Sequence, residues 1–511
     1  MQLQFSDLLY LTPELTLVIA AVVIAVVDLA MPKRASRHSL GVVSLIAVLV
    51  SAAFVLYWMV EINKENGSGP VQLLFHSYRL DDFAHLFKLL ILTGAALVLW
   101  MSFRYFKEEE IPHAGEYYYL FLPATLGAMV MASSGDLITL YVGLELLSIT
   151  SYIMVGMRKS NQQSNESAFK YFVNGSIASA FILYGMSFLY GMSGSTNLLV
   201  IRQALSVYDP SLSALVYMSA FLMIGGLGFK VAAAPFHAWA PDVYQGAPSP
   251  VAAFLATVSK AGAFALLFRV IYNVYFGLGT EDVPIYKDIF TALAVVAAAS
   301  MIIGNVMALR QRNMRRLLAL SGVANAGYLL VPIAVEFGNP RFSVHFSNFT
   351  ELFYYLIAYL FMNIGAFAVL MAVSRSAGHE EMKGFAGLYY RSPLTAAAMT
   401  ILLLSMAGLP VTGGFFGKFY ILLGAIQVQF YWLAAVMILT SVISYYYYFA
   451  IIRQMYMRTD AGRSGLYMNV PLAVTIGICT MVTVLLGLFP KQMIQYIESV
   501  YSVWQDFFIL S

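Results

Sequence analysis

Long apolar stretches alternate along this chain with short polar segments. A helix that crosses a bilayer needs about 20 largely apolar residues. By that measure the sequence predicts fourteen transmembrane helices, near 12–30, 39–60, 81–103, 117–133, 136–157, 166–190, 211–244, 250–277, 284–309, 315–335, 347–374, 393–425, 430–457 and 468–489. The expected fold is therefore an all-α integral membrane protein with about 14 transmembrane helices.

Two of these stretches are interrupted by proline and glycine. The seventh runs through Pro235 and Pro241, and the twelfth contains Pro410, Gly413 and Gly414. Proline removes a backbone donor, and backbone groups freed inside a membrane must be buried in protein or face water. Interruptions at matching places in two halves indicate inverted repeats with a site near the midplane.

The position of the broken helices predicts the organisation of the chain. Helices four to eight and nine to thirteen form two sets of five, and the broken helix is fourth in each. Because five is odd, the sets have opposite orientations in the membrane. We expect a single membrane domain, 1–511, with two inverted five-helix repeats that each contain a broken helix. The repeats are inferred from the order of the helices, because residue identity between the two sets is poor. Its predicted parts are three N-terminal helices (1–112), the first repeat (113–280), the second repeat (281–460) and a C-terminal helix (461–511).

Composition agrees with a membrane protein and excludes several other classes. Apolar residues make up 60% of the chain and charged residues 11%, whereas soluble domains carry about 25% charged residues. The net charge of +3 is spread over short loops and predicts no nucleic-acid partner. The single Cys479 excludes an internal disulfide, and neither a phosphate loop nor a strand-bounded G-x-G-x-x-G motif is found. The energy for any ion movement must therefore come from an ion gradient or from a partner protein.

Loop charges predict the orientation. With the first helix starting outside, the cytoplasmic loops receive 17 basic residues and the outer loops receive 6. This is a strong positive-inside bias. With fourteen helices, both termini are expected outside.

Four ionisable residues lie deep in the apolar stretches: Glu145, Lys230, Lys260 and Lys418. A charge at the bilayer centre costs roughly 2.5–3.5 kcal/mol even on lenient scales, so such residues are functional candidates. Each also has a structural interpretation. The glutamate could be neutralised by a proton or a hydrogen bond, the lysines at the breaks could only plug exposed carbonyls, and Lys260 could snorkel.

Buried lysine and glutamate together suit proton transfer. A buried lysine holds its proton less tightly than a lysine in water, and a nearby carboxylate strengthens that hold. Glu145 beside Lys230 would form a switchable proton site if the fold brings their helices together. His237, just past the first break, titrates near neutrality and could pass protons on, or it could only hydrogen-bond the broken backbone.

The other charged residues in or near the helices are expected to have structural roles or none. Lys88 and Arg269 lie toward helix ends and are expected to snorkel to the membrane surface. Asp81 and Asp82 open the third helix, where the helix dipole favours acids. Glu351 is assigned no role.

Two long motifs carry a family resemblance. Lys230-Val-Ala-Ala-Ala-Pro-Phe-His237-Ala-Trp-Ala-Pro-Asp242-Val-Tyr-Gln-Gly-Ala-Pro resembles the signature of the antiporter-like membrane subunits of respiratory complex I, and its second half resembles the subunit N branch. Ala407-Gly-Leu-Pro-Val-Thr-Gly-Gly-Phe-Phe-Gly-Lys418 is similar to that branch's second broken helix, and Leu80-Asp-Asp-Phe to the opening of its third helix. The similarity covers essentially the whole chain.

The resemblance implies a proton-translocating subunit of NADH-quinone oxidoreductase. Glu145 and Lys230 resemble the family's coupling ion pair, Lys260 its central relay lysine, and Lys418 the lysine of the second half-channel. Quinone chemistry elsewhere would shift the Glu145–Lys230 pair between close and separated states and send a proton along Lys260 to Lys418. One family pattern is missing, because the second repeat has Ser321 near the place where a carboxylate would match Glu145.

The resemblance also implies partners and a location. It implies that this chain binds no cofactor, and that NADH, FMN, iron–sulfur clusters and quinone are held by partner subunits. Expected partners are antiporter-like subunit M and small membrane subunits of the complex, the lipid bilayer and protons, and the expected location is the bacterial plasma membrane. The alternative is a subunit of a multi-subunit cation/proton antiporter, which shares the fold and the buried lysines.

Overall fold

Helices account for most of the protein. The computed structural model describes residues 5–32, 37–65, 70–103, 105–106, 111, 113–207, 210–278, 285–335, 347–457 and 465–501. Several predicted loop charges lie outside these described residues: Lys33, Arg34, Arg104, Lys107, Arg341, Arg458 and Arg463. Both chain ends also lie outside them, so the predicted placement of the termini stays a prediction.

The helices have the following bounds in chain order. The first ten are α1 Phe5–Tyr10, α2 Thr12–Ala30, α3 His38–Glu65, α4 Asp82–Ser102, α5 Ala114–Ser133, α6 Leu137–Val155, α7 Gln162–Ser193, α8 Leu198–Ser206, α9 Ser213–Val231 and α10 Trp239–Gly246. The others are α11 Ser249–Phe254, α12 Lys260–Val270, α13 Ile285–Ala308, α14 Met314–Ala334, α15 Asn348–Ala377, α16 Leu388–Arg391, α17 Pro393–Ala407, α18 Gly413–Gln427, α19 Tyr431–Met457, α20 Val470–Leu488 and α21 Pro490–Val500.

Three shorter kinds of element complete the structure. Strands β1 (Val71–Leu73) and β2 (Tyr78–Leu80) pair antiparallel, with Gln72 opposite Arg79. Short 3₁₀ helices cover Pro210–Leu212 and Met382–Phe385. The π-helical segment Leu255–Ser259 joins α11 to α12, and a second one, Ile271–Tyr275, follows α12. Together they form one helical span, Ser249–Tyr275.

The predicted number of about 14 membrane helices is confirmed. Among the described residues, 12 helices are long and apolar enough to cross a membrane. Helix α5 is equally long, but its tyrosines and Pro123 lower its mean hydropathy. The remaining crossing is the predicted broken helix, which consists of the two shorter pieces α17 and α18.

The chain divides into two compact units. The first comprises residues 1–231, 258–289 and 500–511, and the second comprises 232–257 and 290–499. The predicted division into repeats and flanking helices stays a prediction.

Small residues allow close helix contacts within the first unit. Helix α7 packs along α9, where Gly226 faces Ile182 and the carbonyl oxygen of Ala178. Helix α5 packs along α6, where Gly127 faces the backbone of Gly143 and Leu147. Without a hydrophobic driving force between helices in lipid, such close backbone approach supplies the packing energy.

Both predicted helix breaks are present. Helix α9 ends at Val231, and Ala232 has a φ of +59° before α10 begins at Trp239. The backbone N–H of Ala234 donates to Ser300 Oγ at 2.8 Å within the second unit. Helix α17 ends at Gly408, whose φ of +86° suits glycine. Protein groups therefore satisfy backbone atoms that the breaks expose.

Candidate functional site

Lys230 lies in the last turn of α9 and is buried. Its Nζ donates a hydrogen bond to Ser148 Oγ on α6 at 2.9 Å. The Ser148 hydroxyl in turn donates to the carbonyl oxygen of Leu144 at 2.6 Å. The ring of Tyr171 lies beside the ammonium, with its centroid 5.9 Å from Nζ. The lysine thus contacts a hydroxyl rather than the carbonyls of the break that follows it.

Glu145 lies on the same face of α6 as Ser148, because residues three apart are neighbours on a helix. Its carboxylate is half-buried and accepts a hydrogen bond from the Ser179 hydroxyl of α7. Because Ser148 contacts Lys230, the Glu145 carboxylate lies on the helix face that this lysine meets. Within the part of the chain that the structure describes, however, no direct ion pair joins the two residues. The fold brings the expected pair to one place, with Ser148 and Ser179 holding its two members.

Lys260 lies at the start of α12, directly after the π-helical segment Leu255–Ser259. It is buried, so its side chain does not snorkel to a surface of the protein. Gly262, two residues on, lies against Ala128 of α5, so α12 and α5 approach closely at this level. Single-turn π segments are frequent at functional sites.

Lys418 lies in α18, directly after the second break. Its Nζ donates to the carbonyl oxygens of Met406 at 2.9 Å and Ala407 at 3.4 Å, at the C-terminal end of α17. These carbonyls have no intrahelical partner, and the negative end of the helix dipole favours a cation there. The Tyr328 ring lies under the ammonium, 4.5 Å from Nζ to the ring centroid.

A neutral polar network occupies the second unit where the sequence lacks a carboxylate. The hydroxyls of Ser321 and Tyr448 are 2.5 Å apart. Asn325 Nδ2 donates to the carbonyl oxygen of Ser321 at 2.9 Å, and the Tyr355 hydroxyl donates to Asn325 Oδ1 at 2.6 Å. The Tyr328 hydroxyl, on the ring beneath Lys418, lies 3.0 Å from Thr440 Oγ1. Ser321 thus belongs to a chain of hydroxyl and amide groups.

His237 lies in the first break, between α9 and α10, and is mostly buried. Its Nε2 lies 3.5 Å from Met307 Sδ. It belongs to the second unit, as does Lys418, whereas Glu145, Lys230 and Lys260 belong to the first.

The prediction that Lys88 and Arg269 snorkel is wrong. Both side chains are 0% exposed. Lys88 Nζ forms an ion pair with Glu14 at 2.9 Å, and Arg269 Nη2 forms one with Asp81 at 2.6 Å. Buried carboxylates from distant segments neutralise these two cations inside the protein, so their side chains do not need to reach water. The prediction that Asp81 opens the third helix is confirmed, because its carboxylate accepts from the Ala84 N–H at 2.8 Å.

The contacts of Lys230 and Glu145 that the sequence did not indicate are the hydroxyls of Ser148 and Ser179. In the sequence, Ser148 and Ser179 look like the other serines of apolar helices, and no pattern distinguishes them. Among the residues that the structure describes, no group of three or more His, Cys, Asp or Glu side chains could hold a metal ion.

Comparison with known proteins agrees with the resemblance. Residues 134–444 match the family model described as "NADH:quinone oxidoreductase/Mrp antiporter, TM". The NADH-quinone oxidoreductase subunit N of Paenibacillus sp. strain JDR-2 is 50% identical over 99% of this chain and 99% of its own length. The protein of the same name from Brevibacillus brevis is 48% identical over 98% of this chain and 96% of its own.

A solved structure adds the three-dimensional match. A chain of respiratory complex I from Thermus thermophilus with bound aureothin is 29% identical, with a TM-score of 0.77, over 95% of this chain and 99% of that one. The predicted resemblance is confirmed by full-length relatives as well as by the fold. The chain belongs to the NADH-quinone oxidoreductase subunit N family.

Proposed function

We propose that this chain is the proton-translocating membrane-arm subunit of an NADH-quinone oxidoreductase. It moves protons through buried glutamate and lysine side chains, coupled to quinone reduction in other subunits. One observation carries the proposal: the buried Lys230 ammonium is held by a serine hydroxyl on the helix face that also presents the Glu145 carboxylate. A buried ammonium near a carboxylate, yet not paired with it, can have its hold on a proton changed by a small movement.

The first unit supplies the switch. When Glu145 leaves Ser179 and approaches Lys230, the ammonium form is favoured. When the carboxylate withdraws, Lys230 gives up a proton toward Lys260, and the Ser148 hydroxyl remains as the hydrogen-bond partner of the neutral amine. Lys260 is the next buried lysine of this unit, and His237 and Lys418 are the relay groups of the second unit. The switch needs a bistable element that quinone chemistry biases from outside this chain.

The proposal extends to the surroundings of the chain. NADH, FMN, iron–sulfur clusters and quinone belong to partner subunits, and this chain holds none of them. Its neighbours are other membrane subunits of complex I, with antiporter-like subunit M and small membrane subunits as the specific candidates. We place the chain in the bacterial plasma membrane with both termini outside.

A cation/proton antiporter subunit is the second candidate, because the matching family model carries both descriptions. Full-length relatives named subunit N favour the first candidate. Gentle-detergent purification with identification of the partners by mass separates the two. Co-purifying quinone-site and iron–sulfur subunits support complex I, and a set of small antiporter subunits supports the alternative.

The direct test is Lys230→Ala in the intact complex, reconstituted in vesicles. We expect quinone reduction to continue while coupled proton translocation is lost or sharply reduced, because no exchangeable ammonium remains beside Ser148. Lys159→Ala is the matched control, since its side chain is 71% exposed. A Lys230→Ala complex with the proton yield of the unchanged protein would contradict the proposal.

A further inference from the structure

The first unit contains a second carboxylate–lysine pair, away from Glu145 and Lys230. Glu14 of α2 and Lys88 of α4 form an ion pair of 2.9 Å between Oε1 and Nζ, and both residues are buried. The Tyr78 hydroxyl donates to the same Glu14 oxygen at 2.7 Å, and its ring lies 5.0 Å from the ammonium. This pair is closed, whereas Glu145 and Lys230 are held apart by serines.

A histidine accompanies the closed pair. His85 precedes Lys88 by three residues on α4, so both lie on one helix face. It is 2% exposed, and within the described part of the chain neither ring nitrogen has a hydrogen-bond partner. A buried polar group without a partner destabilises a fold, so stability alone gives no reason for a histidine here.

The charges around His85 are balanced. Asp81 pairs with Arg269 at 2.6 Å and with Arg79 at 3.2 Å. Three carboxylates and three cations are buried in this region: Glu14, Asp81 and Asp82, and Arg79, Lys88 and Arg269. With all six ionised, the net charge is zero when His85 is neutral. Arginine does not release its proton in proteins, so Lys88 is the cation that can exchange one.

We propose that Glu14, Lys88 and His85 form a second proton-holding site of the first unit, an inference that rests on the proposed function. When Glu14 separates from Lys88, one proton passes from Lys88 Nζ to a ring nitrogen of His85. The products are a neutral amine and an imidazolium, and the total charge of the cluster does not change. The imidazolium then releases this proton, and the Lys88 amine takes up another as the ion pair closes, so each opening and closing passes one proton through the cluster.

Arg269 connects the cluster to the helix that carries Lys260. Arg269 lies nine residues after Lys260 in the continuous span Ser249–Tyr275, about 13.5 Å along the axis at 1.5 Å per residue. Its Nε also donates to the carbonyl oxygen of Ala132, at the end of α5, at 2.6 Å. Lys260 and the cation that holds Asp81 therefore lie on one continuous helix, and Asp81 lies one turn before His85.

The rival explanation is an ion cluster that only fastens helices together. The two explanations make opposite predictions for His85→Leu. A purely structural cluster loses nothing when a side chain without hydrogen bonds becomes apolar, so the variant assembles and pumps normally. A proton-holding site loses its acceptor, so protons translocated per electron decrease while quinone reduction continues.

The experiment compares variants of the intact complex in vesicles. We expect His85→Leu and Lys88→Met to lower the proton yield, and the infrared signal of imidazole protonation during quinone reduction to disappear in His85→Leu. Lys159→Ala is the control, since its side chain is 71% exposed and belongs to neither proposed site; its proton yield should equal that of the unchanged complex. If Lys88→Met does not assemble, His85→Leu still decides the matter.

Two outcomes separate this inference from the proposed function. A normal yield and an unchanged infrared signal in His85→Leu, beside loss of pumping in Lys230→Ala, overturn the second site alone. Equal pumping by Lys230→Ala and the unchanged complex overturns the proposed function itself.

Discussion

The two helix breaks carry their lysines on opposite sides of the interruption. Lys230 precedes the first break and donates to the Ser148 hydroxyl near Glu145. Lys418 follows the second break and donates to the backbone carbonyls of Met406 and Ala407. Similar interruptions in the sequence thus produce two different electrostatic surroundings.

The difference lies in what can change. Backbone carbonyls and a tyrosine ring are fixed dipoles, which neither gain nor lose a proton during turnover. A carboxylate can move or be neutralised, so the surroundings of Lys230 can be altered while those of Lys418 stay constant. The neutral network around Ser321 agrees with this division, because it offers hydrogen bonds without a charge. The first unit suits a switch and the second a constant site.

The largest expected effect comes from closing the space at the second break. A Cβ on Gly414 would lie 2.1 Å from the carbonyl oxygen of Ser405, which is backbone and cannot yield cheaply. Overpacking of this kind costs about 1–3 kcal/mol, occasionally more. We expect Gly414→Ala to lower the thermal stability of the complex and the amount that assembles.

Gly477→Ala is the matched control, since a Cβ there meets nothing within 4 Å. It lies inside α20, where alanine is the better helix former, so its stability should stay equal or rise. Unchanged stability of Gly414→Ala would show that the break has a looser geometry than described.

An effect of similar size is expected in the first unit from Ser148→Ala. The change removes the acceptor of the Lys230 hydrogen bond, and hydrogen bonds to charged groups contribute about 1.5–3 kcal/mol. We expect the rate of proton translocation to decrease by about tenfold or more, since 1.4 kcal/mol corresponds to one factor of ten. The measurement is the initial rate of acidification in vesicles at constant quinone reduction.

Ser151 provides the control for that change. It is buried on the same helix and donates to the carbonyl oxygen of Leu147 at 2.6 Å, as Ser148 does to Leu144. Ser151→Ala removes an equivalent backbone contact without touching Lys230. If both serine variants translocate protons at the same rate, the Ser148 hydroxyl has no specific role in proton translocation.

The smallest effect is expected from Tyr328→Phe in the second unit. The ring beneath Lys418 remains, and the hydroxyl contacts with Thr440 and Ser441 are lost. Loss of a neutral hydrogen bond costs about 0.5–1.5 kcal/mol, so thermal stability should decrease slightly and pumping should continue. Tyr328→Leu, which also removes the ring, should lower pumping further, because a desolvated cation–π contact contributes about 2 kcal/mol. Equal pumping by the two variants would contradict a role for the ring.

The sequence was sufficient for the helices and for the breaks. Hydrophobic length and proline or glycine interruptions act locally, so α9, α17 and α18 ended or began where those residues indicated. The buried lysines were also visible, because charge in an apolar stretch is conspicuous.

Their partners were not visible in the sequence. Ser148 and Lys230 are 82 residues apart, and a serine in a helix usually bonds its own backbone, as Ser148 also does. The position of Lys88 toward a helix end predicts snorkelling, but its counter-charge, Glu14, lies on another helix. Pairing across helices depends on packing, which residue types and spacing along the chain did not reveal.

Substitution of Lys230 by arginine tests most directly whether its proton must move. Arginine keeps the positive charge and can still donate to Ser148, but it does not release a proton in proteins. The measurement is the number of protons translocated per electron by the Lys230→Arg complex in vesicles. We expect a loss of coupled translocation as large as that of Lys230→Ala, and a normal yield would contradict a proton-releasing role for Lys230.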